Sequence, residues 1–295
     1  MSHTIPPPSW CPTNADYHHG PGSHAVSSSR LKVFRRSPQE YHGLYVAKTL
    51  EASAPTPAMV VGTVVNTLLL EPERGDTGWV WPCSCETRAA KEYKDAVIAR
   101  PHQVVCTARE WEEGKAIAAA ILEPRTEAAR LARSLLIDSE GYSEYAHRWK
   151  DAETGLECRL KLDRLRLIGG RPTIAELKTT TDPEPRAFAA QVDRMGYDAQ
   201  AAFYVRGLTP HLGEEPAYIW VAVRNGEPYE VATPRQISPG FLALGRQKIE
   251  KDMRELAACL AGARPWVADW QSVGDVLPTL EPPAWRRRDE AFEAE

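Results

Sequence analysis

The chain has 295 residues, with 36 Lys+Arg against 40 Asp+Glu, 8 His, 43% hydrophobic residues, 24 Pro and 6 Cys. That is enough apolar content for one large domain or two small ones, which excludes disorder throughout. A net charge of −4 excludes coating nucleic acid by bulk electrostatics, although it leaves room for a locally basic groove.

No apolar run approaches the roughly 18 residues of a membrane span, and Met1 to Pro8 lacks the basic start and apolar stretch of a signal peptide. A soluble, cytoplasmic protein without a membrane partner is expected. Six irregularly spaced cysteines in so long a chain predict reduced thiols.

Residues 1–27 are rich in Pro, Gly and Ser and carry His3, His18, His19 and His24 without apolar periodicity, so a disordered, solvated tail is expected. From Ser28 to Lys48, Leu31, Phe34, Tyr41, Leu44 and Tyr45 predict two helices broken at Ser37-Pro38, with Ser37 as N-cap and Pro38 at N1. Met59 to Leu70 is nearly all apolar and reads as a buried helix that Pro72 ends. Residues 73–102 read as irregular and then helical from about Glu86, and Glu110 to Ile137 as two helices broken near Glu123-Pro124.

The character changes at Gly141. Ser143–Trp149, Leu156–Ile168 and Thr173–Thr179 read as successive antiparallel strands, joined by turns at 151–155 and 169–172. Pro185–Leu208 is predicted helical, Ala217–Val223 and Tyr229–Thr233 are predicted strands, and Pro239–Ala261 an amphipathic helix. The fold class expected is α+β: a central, mostly antiparallel mixed sheet flanked by helices, with a helical N-terminal half. A single domain over residues 28–275 and a flexible tail over 276–295 complete the expected organisation.

Alternation along Leu156–Asp163 places Glu157, Arg159, Lys161 and Asp163 on one face, and in the next strand Ile174, Glu176 and Lys178 point the same way. A tight turn folds the second strand beside the first, so Asp163 and Glu176 can share a divalent cation with Lys178 at its edge. Two carboxylates with the Leu177 carbonyl form an all-oxygen set that suits Mg²⁺ or Mn²⁺. Such a cation activates water and polarises a phosphodiester, with Lys178 orienting that water or stabilising developing charge. By itself this spacing also describes an ordinary surface ion-pair pattern. Three features strengthen the reading: Tyr197, Gln200 and Tyr204 share a helix face, Glu144 lies on the preceding strand, and Asn66 sits one turn from Gly62 in an apolar helix.

LKVFRRSPQEY (31–41), VGTVVNTLLLEP (61–72), ECRLKLD (157–163), IAELKT (174–179), YDAQAAFYVRGL (197–208) and AYIWVAVRNGEPY (217–229) together resemble the PD-(D/E)xK nuclease superfamily. They resemble most its RecE-like and lambda-type exonuclease branch, over roughly residues 28–255. The resemblance implies a restriction-endonuclease-like core, metal binding by Asp163 and Glu176, Lys178 as the catalytic lysine, and Gln200 and Tyr204 as a QxxxY motif. Glu144 would match the upstream acid of the lambda-type site. Asn66 stands where family members carry a histidine ligand; its carbonyl can still meet a hard cation or its water. The activity implied is Mg²⁺-dependent 5′→3′ degradation of one strand of linear double-stranded DNA during recombination, by a ring-shaped homo-oligomer working with a single-strand annealing protein in a bacterial or phage-infected cell. Alternatives are a weak or inactive DNA-binding member, which Asn66 motivates, and a nuclease with endonuclease or 3′-end preference.

Arg30, Lys32, Arg35 and Arg36 beside Ser37 are candidates for DNA backbone or 5′-phosphate contact, with Tyr197 nearby; a solvated helix face is the alternative. Arg286, Arg287 and Arg288 read as tail charges. Cys83, Cys85, Cys106 and Cys158 do not reproduce a four-cysteine pattern, so no iron–sulfur cluster is expected, although Cys83 and Cys85 could take a stray zinc.

Overall fold

The computed structural model describes residues 4–10, 14–20, 22–71, 79–138 and 140–268. Its first half is built from capped helices. After a short α1 (Asn14–His19), Ser27 caps α2 (Ser28–Arg36), and Ser37 both ends α2 and caps α3 (Pro38–Tyr41) by accepting the Glu40 N–H at 3.1 Å. Pro38 then occupies N1, where a missing N–H costs nothing. Thr56 and Pro57 repeat this start for α4 (Pro57–Leu70). Two short strands, β1 (Val80–Pro82) and β2 (Val104–Cys106), pair in parallel around α5 (Lys91–Ala99). A capping box of Thr107 and Glu110 opens α6 (Ala108–Leu122), and Thr126 caps α7 (Glu127–Leu136).

The second half supplies the main sheet: β3 (Tyr142–Lys150), β4 (Glu157–Ile168), β5 (Arg171–Thr180), β6 (Ala217–Arg224) and β7 (Arg235–Gln236), in that spatial order. All neighbours are antiparallel except β5 and β6, whose crossover is made by α8 (Pro185–Met195) and α9 (Tyr197–Leu212). The long α10 (Pro239–Leu260) closes the described chain. This is the α+β, mostly antiparallel architecture that the sequence predicts.

Helices cover both faces of the sheet. On one face Leu160, Leu162, Leu165, Ile174 and Tyr218 pack with residues of α2, α9 and α10; on the other Ala175, Leu177, Val221 and Val223 pack with α4, α6 and α7. A smaller cluster of Val60, Val64, Val80 and Cys106 clamps the outer side of α4 against the two-stranded sheet. Helix α4 is therefore held between two layers, which fixes where Asn66 sits.

Several expectations are corrected. The N-terminal segment is packed where it is described: Tyr17, Ala25 and Val26 are buried, and Val26 forms a parallel bridge with Cys158, exchanging hydrogen bonds at 2.8 Å with Glu157 and Arg159. The Pro and Gly content hid these few apolar anchors. The single helix expected over 185–208 breaks at Gly196, whose φ of 70° is left-handed and which ends α8 and starts α9. The strand expected at 229–233 reduces to one bridge, Val223 to Val231, because Tyr229 has a φ of 53°, and the edge strand lies at β7 instead. Cys83 and Cys85 are joined to each other, against the expectation of reduced thiols throughout. The expected boundary at 276 and the arginines at 286–288 lie outside the described residues.

Candidate active site

The β4–β5 hairpin places its acids where strict alternation fails. Leu162 and Leu165 both join the same core cluster although they are three apart, so the pleat shifts at Asp163-Arg164. The register with the neighbouring strand is kept, Ser143 pairing with Arg164 and Tyr145 with Leu162, but the intervening Glu144 has a φ of 51°, a strained value for a non-glycine residue. The ladder between β4 and β5 also starts only at Arg164. Asp163 is thereby released from sheet pairing and its carboxylate reaches the next strand.

Asp163 Oδ2 accepts the Leu177 N–H at 2.7 Å, and the Asp163 N–H donates to Glu176 Oε2 at 3.4 Å. The two acids are only 7% and 3% exposed. Burial, and after it the charge of Glu176, pushes the Asp163 carboxyl well above the ordinary carboxylate range. Lys178 Nζ donates to Glu176 Oε1 at 3.0 Å and lies 4.9 Å from the centre of the Tyr197 ring. Burial alone would lower Lys178, but Glu176 and Asp163 outweigh it and raise the ammonium pKa.

Helix α9 completes this wall. Gln200 Nε2 donates to Glu176 Oε1 at 3.0 Å and to Tyr204 Oη at 2.9 Å, and Tyr204 Oη donates to the Lys161 carbonyl at 3.0 Å. Four-residue spacing on a helix makes this chain of bonds possible, and it ties Glu176 to the β4 backbone. Burial and the Glu176 charge push the Tyr204 phenol up, so it stays a donor. From the opposite side Asn66 Nδ2 donates to Asp163 Oδ1 at 3.2 Å. Glu144 pairs with Lys161, and burial raises its carboxyl despite that partner.

All of these groups face one open cavity of about 790 Å³. The structure thus brings together Asp163, Glu176, Leu177, Lys178, Gln200, Tyr204, Tyr197, Asn66 and Glu144. Three further lining residues were not singled out from sequence as members of a site: Lys161, Glu71 and His18. Lys161 lay on the polar face of β4 two residues before Asp163; Glu71 and His18 come from distant segments and left no local signal.

The basic cluster divides. Lys32 and Arg35 line a smaller cavity of about 260 Å³ that shares Lys178, Tyr197 and Gln200 with the main one. Burial, then Arg35, Arg36 and Lys178, lowers the Lys32 pKa. Arg35 is bound at 2.8 Å to Asp252, Arg30 donates to the His24 carbonyl at 2.6 Å, Arg36 pairs with Glu40, and the Ser37 hydroxyl serves as a helix cap. Lys32 and Arg35 are the members that share a cavity wall with Lys178.

The donor set fits a hard cation. Asp163 and Glu176 are two oxygen ligands crowded together in a low-dielectric wall, and their mutual repulsion is what a divalent cation relieves. Among the described residues no group of three His, Cys, Asp or Glu forms a closed cage. An open site that leaves room for water suits Mg²⁺ or Mn²⁺ better than a structural zinc.

No curated protein matches the chain. Among solved structures it is similar to the "Putative exonuclease" from Eubacterium rectale, with 14% identity, a TM-score of 0.59, and coverage of 95% of this chain and 98% of that one. At that identity the likeness concerns the fold. A family model described as a PDDEXK-like domain of unknown function (DUF3799) matches residues 27–268, which contain the whole β4–β5 hairpin, α4 and α9. With well over half of its length matched, the chain belongs to this PDDEXK-like domain family.

Proposed function

We propose that the protein is a metal-dependent nuclease that degrades one strand of linear double-stranded DNA, and that it acts as a 5′→3′ exonuclease in recombination. The observation that carries this reading is the joint placement of Asp163, Glu176 and Lys178 on one cavity wall, with Lys178 bonded to Glu176 at 3.0 Å. A bound Mg²⁺ or Mn²⁺ would supply an activated water and polarise the scissile phosphate. Asp163 and Glu176 would hold it, with Asn66, Glu144 and the Leu177 carbonyl at its margin.

The chain's own groups do the rest. Lys178, kept as an ammonium by Glu176 and Asp163, donates to the phosphate oxygen on which charge builds. Gln200 and Tyr204 hold Glu176 in place through their linked hydrogen bonds. Lys32, with Arg35 beside it, offers positive charge to the DNA backbone at the adjoining cavity, within reach of Tyr197. A ring of several chains around the duplex would concentrate phosphate contacts inside a channel and reconcile DNA binding with an acidic sequence. An annealing protein would then receive the exposed strand.

Digestion of end-labelled linear duplexes, 5′-phosphorylated or 5′-hydroxyl, with closed circular DNA as control, tests the reading. Release of nucleotides from 5′ ends in Mg²⁺, with the circle intact, is expected. Attack on the circle or release from 3′ ends overturns the exonuclease polarity, and no digestion in Mg²⁺ or Mn²⁺ overturns the nuclease reading. A second reading, a DNA-binding member with weak hydrolysis, is favoured by the Asn66 bond to Asp163. Asn66→His restoring cleavage to a poorly active protein would support it.

A further inference from the structure

The cavity has an aromatic wall that the chemistry above does not use. Trp79 is anchored by packing against the cluster of Val60, Val64, Val80 and Cys106. The His18 ring lies on it at 5.2 Å between centroids with an interplanar angle of 8°, and both rings line the same cavity as the two acids. His18 itself is exposed. It is held in place by Tyr17, which is buried, whose carbonyl accepts a hydrogen bond from the Arg159 guanidinium, and whose ring lies 4.3 Å beneath that guanidinium. His18 precedes the residues that the family model matches, whereas Trp79 lies among them.

We propose that His18, backed by Trp79, is a stacking plate for a nucleobase at the end of the DNA strand that enters the cavity; this rests on the nuclease reading above. The physical grounds are threefold. A flat ring fixed parallel to an anchored indole and exposed at the cavity gives a base a π surface to stack on, and every base can stack on such a surface. The plate borders the cavity that carries the acids and Lys178, where a phosphodiester would be cut. Desolvation, and then the neighbouring Lys161 and Arg159 cations, lowers the imidazole pKa, which favours an uncharged ring over a phosphate-binding cation near neutral pH. A base held there would be splayed from its partner, and its own phosphate would be swung toward the acids.

The test pairs variants of the full chain with altered DNA. His18→Ala, His18→Phe and His18→Lys are assayed for kcat and KM on linear duplexes whose terminal nucleotide is normal or abasic. Wild type should lose about 10-fold in kcat/KM on abasic DNA, the order of one base–aromatic stack. His18→Ala should lose as much on normal DNA and little more on abasic DNA, His18→Phe should regain the wild-type preference, and His18→Lys should not. Full activity of His18→Ala on normal DNA, or an equal further loss on abasic DNA, would overturn the plate. Fluorescence of a terminal 2-aminopurine, read without turnover in Ca²⁺, separates this from failure of hydrolysis. Quenching by wild type and His18→Phe but not His18→Ala supports stacking even in a protein that does not cut; equal quenching by all three refutes it while leaving cleavage intact.

Discussion

Asp163 stands in an environment that conflicts with its charge. It is buried beside a second acid and accepts bonds from Leu177 and Asn66, and its raised pKa means that ionisation in the folded state is penalised. Removing that charge should therefore stabilise the metal-free protein: Asp163→Asn is expected to raise the melting temperature by a few degrees, corresponding to about 1–2 kcal/mol. Added Mg²⁺ should stabilise wild type by mass action and leave Asp163→Asn unmoved. Differential scanning calorimetry with and without the cation checks both, and a lower melting point for the metal-free variant would contradict the repulsion. Asp163, Glu176 and Lys178 were legible as a group because Glu176 and Lys178 stand two apart on one strand and the alternation of the strand before it holds up to Asp163. Gln200 and Tyr204 were legible because four-residue spacing does the same on a helix. His18, Lys161 and Glu71 were not, because a shared cavity wall is a tertiary fact. The left-handed Glu144 and the shifted pleat at Asp163 also leave no mark on a pattern of polar and apolar letters.

Helix packing sets where these residues stand. Gly245 of α10 lies so close to α9 that a Cβ would fall 2.2 Å from the Asp198 carbonyl oxygen, a backbone atom that cannot swing away. Gly245→Ala gains up to about 1 kcal/mol in helix propensity. The forced separation of the two helices should still cost about 2 kcal/mol net, visible as a reduced urea midpoint. An unchanged midpoint would show that α9 is free to shift. The N-terminal segment is fastened to β3 by a different device. His147 Nδ1 bonds the Ser9 hydroxyl at 2.8 Å and its ring lies 4.3 Å from that of His211. Burial, and then His211, holds His147 down to about 4 from its ordinary 6.5. Between those values the unfolded chain takes up a proton that the folded chain refuses, so this term removes stability as pH falls from 6.5 toward 4, by about 1–3 kcal/mol. His147→Gln should flatten that part of the stability profile; an identical slope in both proteins would contradict it. The cap at Ser37 and the start of α10 at Pro239 were legible from sequence, whereas α4 was expected from Met59 and begins at Pro57 behind the Thr56 cap. The break at Gly196 was not, because α8 and α9 share one polar and apolar rhythm across it.

Across the whole molecule, the proposed function requires a chain of net charge −4 to bind DNA through a few well-placed cations, not through a general field. Lys32, Arg35, Lys161 and Lys178 are among the few placed at the cavities, so binding of one chain should fall with salt less steeply than for a uniformly basic DNA-coating protein. Equilibrium sedimentation should find an assembly of several chains, consistent with a ring; a monomer at micromolar concentration would oppose that proposal. The mixed sheet with helices on both faces was legible because strands alternate with a period of two and cluster after Gly141. The two-stranded sheet of β1 and β2 was hidden, since three-residue strands carry no period at all. The proposed mechanism converges on one amine. The most direct measurement is the cleavage rate of linear duplex DNA in Mg²⁺ by wild type and by Lys178→Met, each shown by calorimetry to be folded and to bind the cation. The account predicts a loss of at least about 100-fold in kcat for the variant, with cation binding retained. Cleavage at the wild-type rate by Lys178→Met would contradict it.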